Sequence, residues 1–329
     1  MEAINCIFCD KPNDRVVIEE NGYTGIQCSR CGLIYISPRP ALGEMVRLYG
    51  LDSASVRASS HISAEFTSRL IARHHLRILT SHVTRGALLE IGAGAGYFLD
   101  EARKLGFEPY ATELNPLQAE FICNTLHIPC AESPSPDALF GDRRFDVVYH
   151  CDVISHFYDP IGEFRKLNQK LNEGGWMVFE TGNCGEVRPK YLRLLERFQY
   201  PDHLFFFTTD NLRDLLQRTG FELVQIRRYS IVAQLWATRL TRRLARAVKR
   251  RAWAANGAGN KTPGEPRNGA DRSRGASASS SPAGPSVWNL LRLGWSYFNY
   301  LLRYKLGRIA PKAHRPQTVI VIARKTGPR

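Results

Sequence analysis

From residue 86 onward, short apolar runs alternate with stripes of helical spacing. Ala87, Leu88, Leu89 and Ile91 form the first run, and Pro109–Thr112, Ile128–Ala131, Phe145–Tyr149, Met177–Phe179 and Leu223–Ile226 repeat it. Between them, Phe98, Leu99, Ala102 and Leu105, then Leu117, Phe121, Ile122 and Leu126, recur at helical spacing and read as faces packed on a sheet. Strands that alternate with helices predict an α/β fold with a largely parallel sheet. Residues 41–85 read as helical, with Met45, Val46 and Leu48, then Phe66, Leu70, Ile71, Leu76 and Leu79. Thr318–Lys325 reads as a last strand.

About 85 residues separate that strand from the one before it. Residues 231–255 place Trp236, Leu240, Leu244, Ala247 and Val248 on one helical face, and Arg239, Arg242, Arg243, Arg246, Lys249 and Arg250 on the other. Residues 254–286 are Gly, Ala, Ser, Pro and Asn with scattered charge, which cannot bury a core and predict a disordered linker. Residues 287–308 form an aromatic helix with Trp288, Trp295, Tyr297, Phe298, Tyr300 and Tyr304. The expected organisation is therefore an amino-terminal unit, 1–38; a helical linker or lid, 39–82; an α/β body, 83–230 with 316–329; and a basic insertion, 231–315.

Charge sharpens this division. The net charge is +14, but residues 227–315 alone carry +17 and the remainder −3. The basic character belongs to the insertion. The opening Met-Glu-Ala-Ile-Asn-Cys has neither a basic start nor a long apolar run, which argues against a cleaved signal peptide. No stretch reaches 18 uninterrupted apolar residues, so a spanning helix is not expected. The expectation is a cytoplasmic protein with reduced thiols, its eight cysteines serving as free thiols and metal ligands rather than disulfides.

The chemistry starts at Glu90-Ile91-Gly92-Ala93-Gly94-Ala95-Gly96-Tyr97. Three glycines between a strand and a helix let a ligand approach the backbone. The dinucleotide spacing would put a glycine where Tyr97 stands, and Glu90 would repel a pyrophosphate; a ligand carrying an ammonium suits it better. Glu113, at the tip of the next strand, is placed to reach ribose hydroxyls. This strand, E-x-G-x-G-x-G, helix, strand, Glu pattern resembles the Rossmann-like, class I S-adenosylmethionine-dependent methyltransferases. The resemblance extends through Phe145–Tyr149, Asp152-Val153-Ile154-Ser155-His156-Phe157-Tyr158-Asp159-Pro160, Gly174–Glu180 and Gly220–Ile226. It implies a doubly wound, mostly parallel seven-stranded sheet with an antiparallel last strand. It also implies S-adenosylmethionine as cofactor, bound by Glu90, Gly92, Gly94, Gly96 and Glu113, with Glu132 placed for an adenine contact and Asp152 lining the site.

Cys6-x2-Cys9 and Cys28-x2-Cys31 are separated by 18 residues, the spacing of a zinc ribbon in which two turns aim four thiolates at one ion. Zinc binding of about 10–16 kcal/mol would supply the folding energy of so small a unit. Two roles compete, a structural cap or a nucleic-acid finger; few basic or aromatic residues flank the cysteines, which favours the cap. The words after the ribbon, Cys31–Pro40 and Leu48-Tyr49, resemble the linker of bacterial methyltransferases that carry an amino-terminal zinc ribbon, among them deoxysugar C-methyltransferases. Those sugar enzymes usually carry a further carboxy-terminal domain, which this chain does not show.

A base is needed if the acceptor is a hydroxyl or carbon acid, and histidine suits that task. His203, in Tyr200-Pro201-Asp202-His203-Leu204-Phe205-Phe206-Phe207, and His156 are the candidates; Ser155 stands where the family pattern has Glu. Glu180, Thr181 and Asn183 are placed to contact the acceptor, while His74 and His75 read as surface or packing residues. The expected acceptor is a sugar, glycan or other hydroxylated small molecule, with a lipid-linked form and a quinone-precursor hydroxyl both open, as is a non-catalytic cofactor-binding scaffold. The basic and aromatic helices of 231–308 read either as attachment to an anionic membrane surface or as helices packed on the body or a second subunit. At about 1 kcal/mol per basic side chain near anionic lipid, several arginines suffice for reversible binding. Nucleic acid is disfavoured, because the basic face has few interleaved aromatics. Nothing in the sequence sets the oligomeric state.

Overall fold

In the computed structural model, residues 1–49, 52–132, 140–195, 197–257, 287–309 and 311–326 are described. Seven strands form the main sheet: β4 (Gly86–Ile91), β5 (Phe107–Thr112), β6 (Cys130–Ala131), β7 (Phe145–Cys151), β8 (Leu171–Gly182), β10 (Phe221–Ser230) and β11 (Gln317–Lys325). Their order is β10-β11-β8-β7-β4-β5-β6. β6, β5, β4, β7 and β8 run parallel, and β11 is antiparallel to both β8 and β10. This is the doubly wound sheet with an antiparallel last strand that the sequence pattern implied. Its central strands are buried on both faces, as helix-covered parallel strands must be: Leu88, Leu89, Val147, Val148, Met177 and Val178 are fully enclosed.

Helices α4 (Tyr97–Arg103), α5 (Pro116–Asn124), α6 (Pro160–Lys170), the short α7 (Pro189–Leu192) and α8 (Thr209–Arg218) lie between the strands. The starts of α5, α6 and α8 are capped by local chemistry. Asn115 and Asp159 accept from the amides of Gln118 and Gly162, each followed by proline, and Thr208 and Asn211 form a reciprocal capping box. Preceding the sheet, α1 (Leu42–Tyr49), α2 (Asp52–Ser63) and α3 (Glu65–Leu79) supply the expected helical linker. α3 is clamped to α4 by Arg69, which bonds Asp100 and Glu101 at 2.6 and 2.7 Å.

The amino-terminal unit is less separate than its sequence implies. Its strands β1 (Val16–Glu20), β2 (Tyr23–Gln27) and β3 (Ile34–Ile36) form a sheet whose fourth strand, β9 (Phe205–Phe206), comes from the catalytic body. Cys6, Phe8, Leu33, Ile34 and Tyr35 share one hydrophobic core with Phe164, Phe205 and Leu212 of the body.

The insertion contains α9 (Val232–Gly257) and α10 (Val287–Tyr300), which continues through a π-helical stretch, Leu301–Leu306, into α11 (Gly307–Ile309). Residues 254–257, expected in the linker, still belong to α9, because four more helical bonds cost little once a helix is nucleated. The rest of the expected linker, 258–286, lies outside the described residues. The insertion does not simply project from the body: Tyr300 and Tyr304 are buried in the core on one face of the sheet. No helix among the described residues is long and apolar enough to cross a membrane.

Candidate active site

One open cleft of about 1080 Å³ runs over the carboxyl ends of β4, β5, β7 and β8, the position where doubly wound sheets bind ligands. The glycine turn forms one end. Gly92, Gly94 and Gly96 all have positive φ, at 64°, 57° and 72°. A Cβ on Gly92 would lie 2.8 Å from Val153, and one on Gly96 would lie 2.8 Å from Ile122, so these two serve packing as well as conformation. At Gly94 a Cβ would meet nothing closer than 3.8 Å, so this backbone faces the cleft itself.

Two carboxylates stand beside the turn. Glu113 accepts from the Gly94 amide at 2.7 Å and the Asn115 amide at 2.9 Å. Burial raises its carboxyl above the ordinary range against those bonds. Glu90 is more extreme. It is buried, and one carboxylate oxygen has no partner among the described residues. Burial, and then the neighbouring Glu113, push its carboxyl well up. An unpaired buried carboxylate is costly, and a ligand ammonium would relieve that cost. The residues therefore fit an aminoacyl nucleoside. Across the mouth, His61 of α2 meets Gln118 of α5 at 3.2 Å and Tyr97 reaches the Ile62 carbonyl at 2.6 Å, so α2 roofs this end. Glu132 is exposed, does not line the cleft and immediately precedes 133–139, which lie outside the described residues.

Three polar side chains gather at the other end. His156 sits on a 3₁₀ turn after β7 and donates from Nδ1 to the Asp202 carbonyl at 2.9 Å, with the Asp202 carboxylate at 3.3 Å. A carbonyl can only accept, so Nδ1 carries the proton of this bond. The His203 ring lies edge-on to His156, with centroids 4.6 Å apart. Burial, and then His156, hold His203 down at about 4, so it is neutral at physiological pH. Ser155 carries structure here: its carbonyl accepts from Leu204 at 2.7 Å and joins the turn to the His203 loop. The sequence placed His156 and His203 apart; the fold makes them neighbours. Asp202, their partner, was missed, and the only available signal was its position next to His203.

Asp152, between the two ends, has φ 56° at the tip of β7, a left-handed conformation uncommon for a side chain with a Cβ. It opens to the cleft, and enclosure by dense protein, with Glu180 nearby, raises its carboxyl to about 6. Beneath it lies a network that sequence reasoning did not see. Glu180 accepts from Arg303 at 2.5 Å, Tyr304 at 2.8 Å and His75 at 2.9 Å, and His75 meets Tyr149 at 2.5 Å. Burial opposes ionisation of Glu180, but Arg303 and His75 outweigh it and hold it at about 2. Glu180 is therefore a structural anion under the cleft. Thr181 lines the cleft, whereas Asn183 is buried with its bonds directed to Glu186 and Arg315. His74 and His75 are buried members of this region, not surface residues.

The four ribbon cysteines converge, with ligand atoms all within 4.8 Å and Cys6 and Cys31 sulfurs 3.5 Å apart. Tetrahedral zinc with bonds of about 2.3 Å needs sulfurs about 3.8 Å apart, so the donor set fits that ion after small adjustments. None of the four is in a disulfide.

Part of the chain is similar to known proteins. Residues 63–226 match the methyltransferase-domain family. A ubiquinone biosynthesis O-methyltransferase of Cereibacter sphaeroides is 28% identical over 155 residues, 42% of this chain and 60% of that protein. A tRNA U34 carboxymethyltransferase of Sulfurovum is 23% identical over 151 residues, 42% of this chain and 48% of that protein. The chain thus spans between about half and 60% of the length of these relatives. Among solved structures, a SAM-dependent methyltransferase from Archaeoglobus fulgidus aligns with a TM-score of 0.44 and 16% identity, covering 78% of this chain and 93% of that one.

Proposed function

With residues 63–226 belonging to the methyltransferase-domain family and folded in its class I form, we propose that the protein transfers a methyl group from S-adenosylmethionine to an oxygen or carbon of a hydroxylated small molecule. The observation that carries this reading is the Glu90 oxygen without a partner among the described residues, close to Glu113 and in the same cleft as Gly94, His156 and His203. Glu90 and Glu113, which line the cleft, would hold the cofactor's ammonium and ribose. When bound, S-adenosylmethionine supplies an electrophilic methyl for in-line displacement.

The chain's own work is alignment, exclusion of water and removal of one proton. His203 is neutral and stands where an acceptor would lie, so it can accept that proton. A negative charge developing on the acceptor would favour its protonated form. His156 stays fixed beside it through the Nδ1 bond to Asp202. Cys6, Cys9, Cys28 and Cys31 would hold zinc as a structural ion that completes the ribbon.

The acceptor reading favours a sugar or glycan-type molecule in lipid-linked form. Its support is the exposed apolar face of α9, where Trp236, Leu240, Leu244 and Val248 are each more than half exposed on a helix that also carries Arg242, Arg243 and Arg246. Such a face suits a peripheral position on an anionic inner membrane surface. Likeness to the ubiquinone O-methyltransferases favours a second reading, an oxygen of a ubiquinone-precursor type.

The test supplies S-adenosylmethionine labelled in its methyl group to the full-length protein with fractionated bacterial lipids, sugar nucleotides, quinone precursors and tRNA. Label in the lipid-linked saccharide fraction supports the first reading, label in the quinone fraction the second, and label only in tRNA contradicts both. Flotation with anionic vesicles should fall at least tenfold for Trp236→Ser/Leu240→Ser/Leu244→Ser; unchanged flotation removes the membrane. Deleting the whole insertion would not be informative, because Arg303 and Tyr304 would leave Glu180.

A further inference from the structure

Asp202 and His203 hang between two attachments to the ribbon. On the amino-terminal side, the Glu20 carboxylate, at the end of β1, accepts from the Phe198 amide at 3.1 and 3.2 Å and from the Tyr200 amide at 2.8 Å. Next to it, Asn21 donates from its side chain to the Tyr200 carbonyl at 2.8 Å. The Tyr200 ring lies over the same hairpin, where a Cβ on Gly25 would stand 2.2 Å from the phenol oxygen. On the carboxyl-terminal side, Ile36 donates to the Leu204 carbonyl at 3.1 Å, and Ile34 and Tyr35 pair with Phe206 and Phe205. Leu204 in turn donates to Ser155, one residue from His156.

These bonds have an uneven distribution. Gln199 is held at φ 62°, a conformation its own sequence does not favour, so the local chain does not set this loop unaided. Glu20 does not line the cleft and is 183 residues from His203 in sequence, yet it takes the amides of two of the five residues that precede His203. The cofactor end has no such dependence, because Glu113 is fixed by Gly94 and Asn115 within its own strand-turn-helix unit. A charged acceptor of two backbone N–H groups is also stronger than a neutral one.

We propose that Glu20 is a positioning residue for the Asp202–His203 loop, through which the metal-bound ribbon sets the acceptor half of the cleft and not the cofactor half. The ribbon then acts as a template for the methyl-accepting site rather than as a remote cap or a nucleic-acid finger. This rests on the reading of His203 as the base, but the test does not depend on turnover.

The experiment compares full-length wild type, Glu20→Ala and Glu20→Gln by residue-resolved hydrogen exchange, metal content, calorimetry with S-adenosylmethionine, and proton NMR of the histidine C2 positions. In Glu20→Ala the Phe198 and Tyr200 amides should exchange at least about tenfold faster. The His203 midpoint should rise as the ring loosens toward water, with metal content and cofactor affinity unchanged. Glu20→Gln, neutral and with one acceptor oxygen, should restore only part of the protection, leaving the Phe198 and Tyr200 amides about threefold faster than in wild type. Unchanged exchange and an unchanged His203 midpoint in Glu20→Ala would overturn the proposal. If Glu20→Ala loses its metal or its fold, Glu20→Gln decides: wild-type exchange throughout 198–206 contradicts the proposal, and acceleration confined to 198–203 supports it. Failure of wild type to bind S-adenosylmethionine would defeat the methyltransferase reading and leave the exchange result standing.

Discussion

The two ends of the cleft are built in different ways. The cofactor end comes from one short stretch, Glu90 to Gln118, where strand, glycine turn, helix, strand and helix follow each other and bond mainly to one another. The acceptor end is assembled from the 3₁₀ turn at 154–156, the loop at 198–204 and the ribbon hairpin, with the insertion helix beneath. A local unit can be conserved in form while the distant contributors change. Such an arrangement lets one cofactor site serve many acceptors, because each remote segment can be altered without touching Glu90, Gly94 or Glu113.

The comparison can be broken most severely from below. Arg303 is the cation on the buried Glu180 carboxylate, and its removal strands a charge among Tyr149, His75 and Tyr304. Arg303→Met should lower unfolding stability by about 3–5 kcal/mol. Chemical denaturation measures this, and a loss below about 1 kcal/mol would show that the insertion helix is dispensable. The next effect concerns chemistry alone. His203→Ala should reduce turnover about a hundredfold while cofactor affinity stays as in wild type. A His203 that acts as base must be neutral, so on that reading activity should be lost as pH falls through about 4 and be level above it. Full activity of His203→Ala would remove it from the mechanism.

The smallest effect is on acid stability, away from either end. His150 lies among Phe157, Phe164 and Phe179 with neither ring nitrogen partnered among the described residues, and burial lowers it to about 3. The unfolded chain takes up this proton near pH 6.5, so below that pH it binds more protons than the folded chain. Stability should therefore fall as pH drops from about 6.5 toward 3, and His150→Phe should flatten that fall while changing the neutral-pH midpoint little. Identical acid curves for the two proteins would contradict the assignment.

The same contrast explains what could be read in the sequence. The parallel sheet and the glycine turn follow from local periodicity and spacing, the antiparallel last strand follows from the family resemblance, and Glu90 and Glu113 line the cleft. The four cysteines were legible for the same reason: a CxxC turn is local chemistry. Asp202, Glu20 and the Glu180 network were not, because each acquires its role only from a partner more than 40 residues away. His75 shows the limit well. On α3 it is one polar position in an amphipathic stripe, and only the arrival of β7, β8 and the insertion helix turns it into a buried hydrogen-bond donor. The amphipathic pattern of 287–308 had two readings, and the burial of Tyr300 and Tyr304 decides for packing on the body at its carboxyl-terminal end.

The central claim is that the Glu90–Gly94–Glu113 end binds S-adenosylmethionine independently of the acceptor end. Titration calorimetry of the full-length protein with S-adenosylmethionine, run beside Glu113→Ala and His203→Ala, tests it most directly. The account predicts saturable binding at one site per chain, at least tenfold weaker for Glu113→Ala and unchanged for His203→Ala. No binding by the wild type, or equal affinity for wild type and Glu113→Ala, would contradict it.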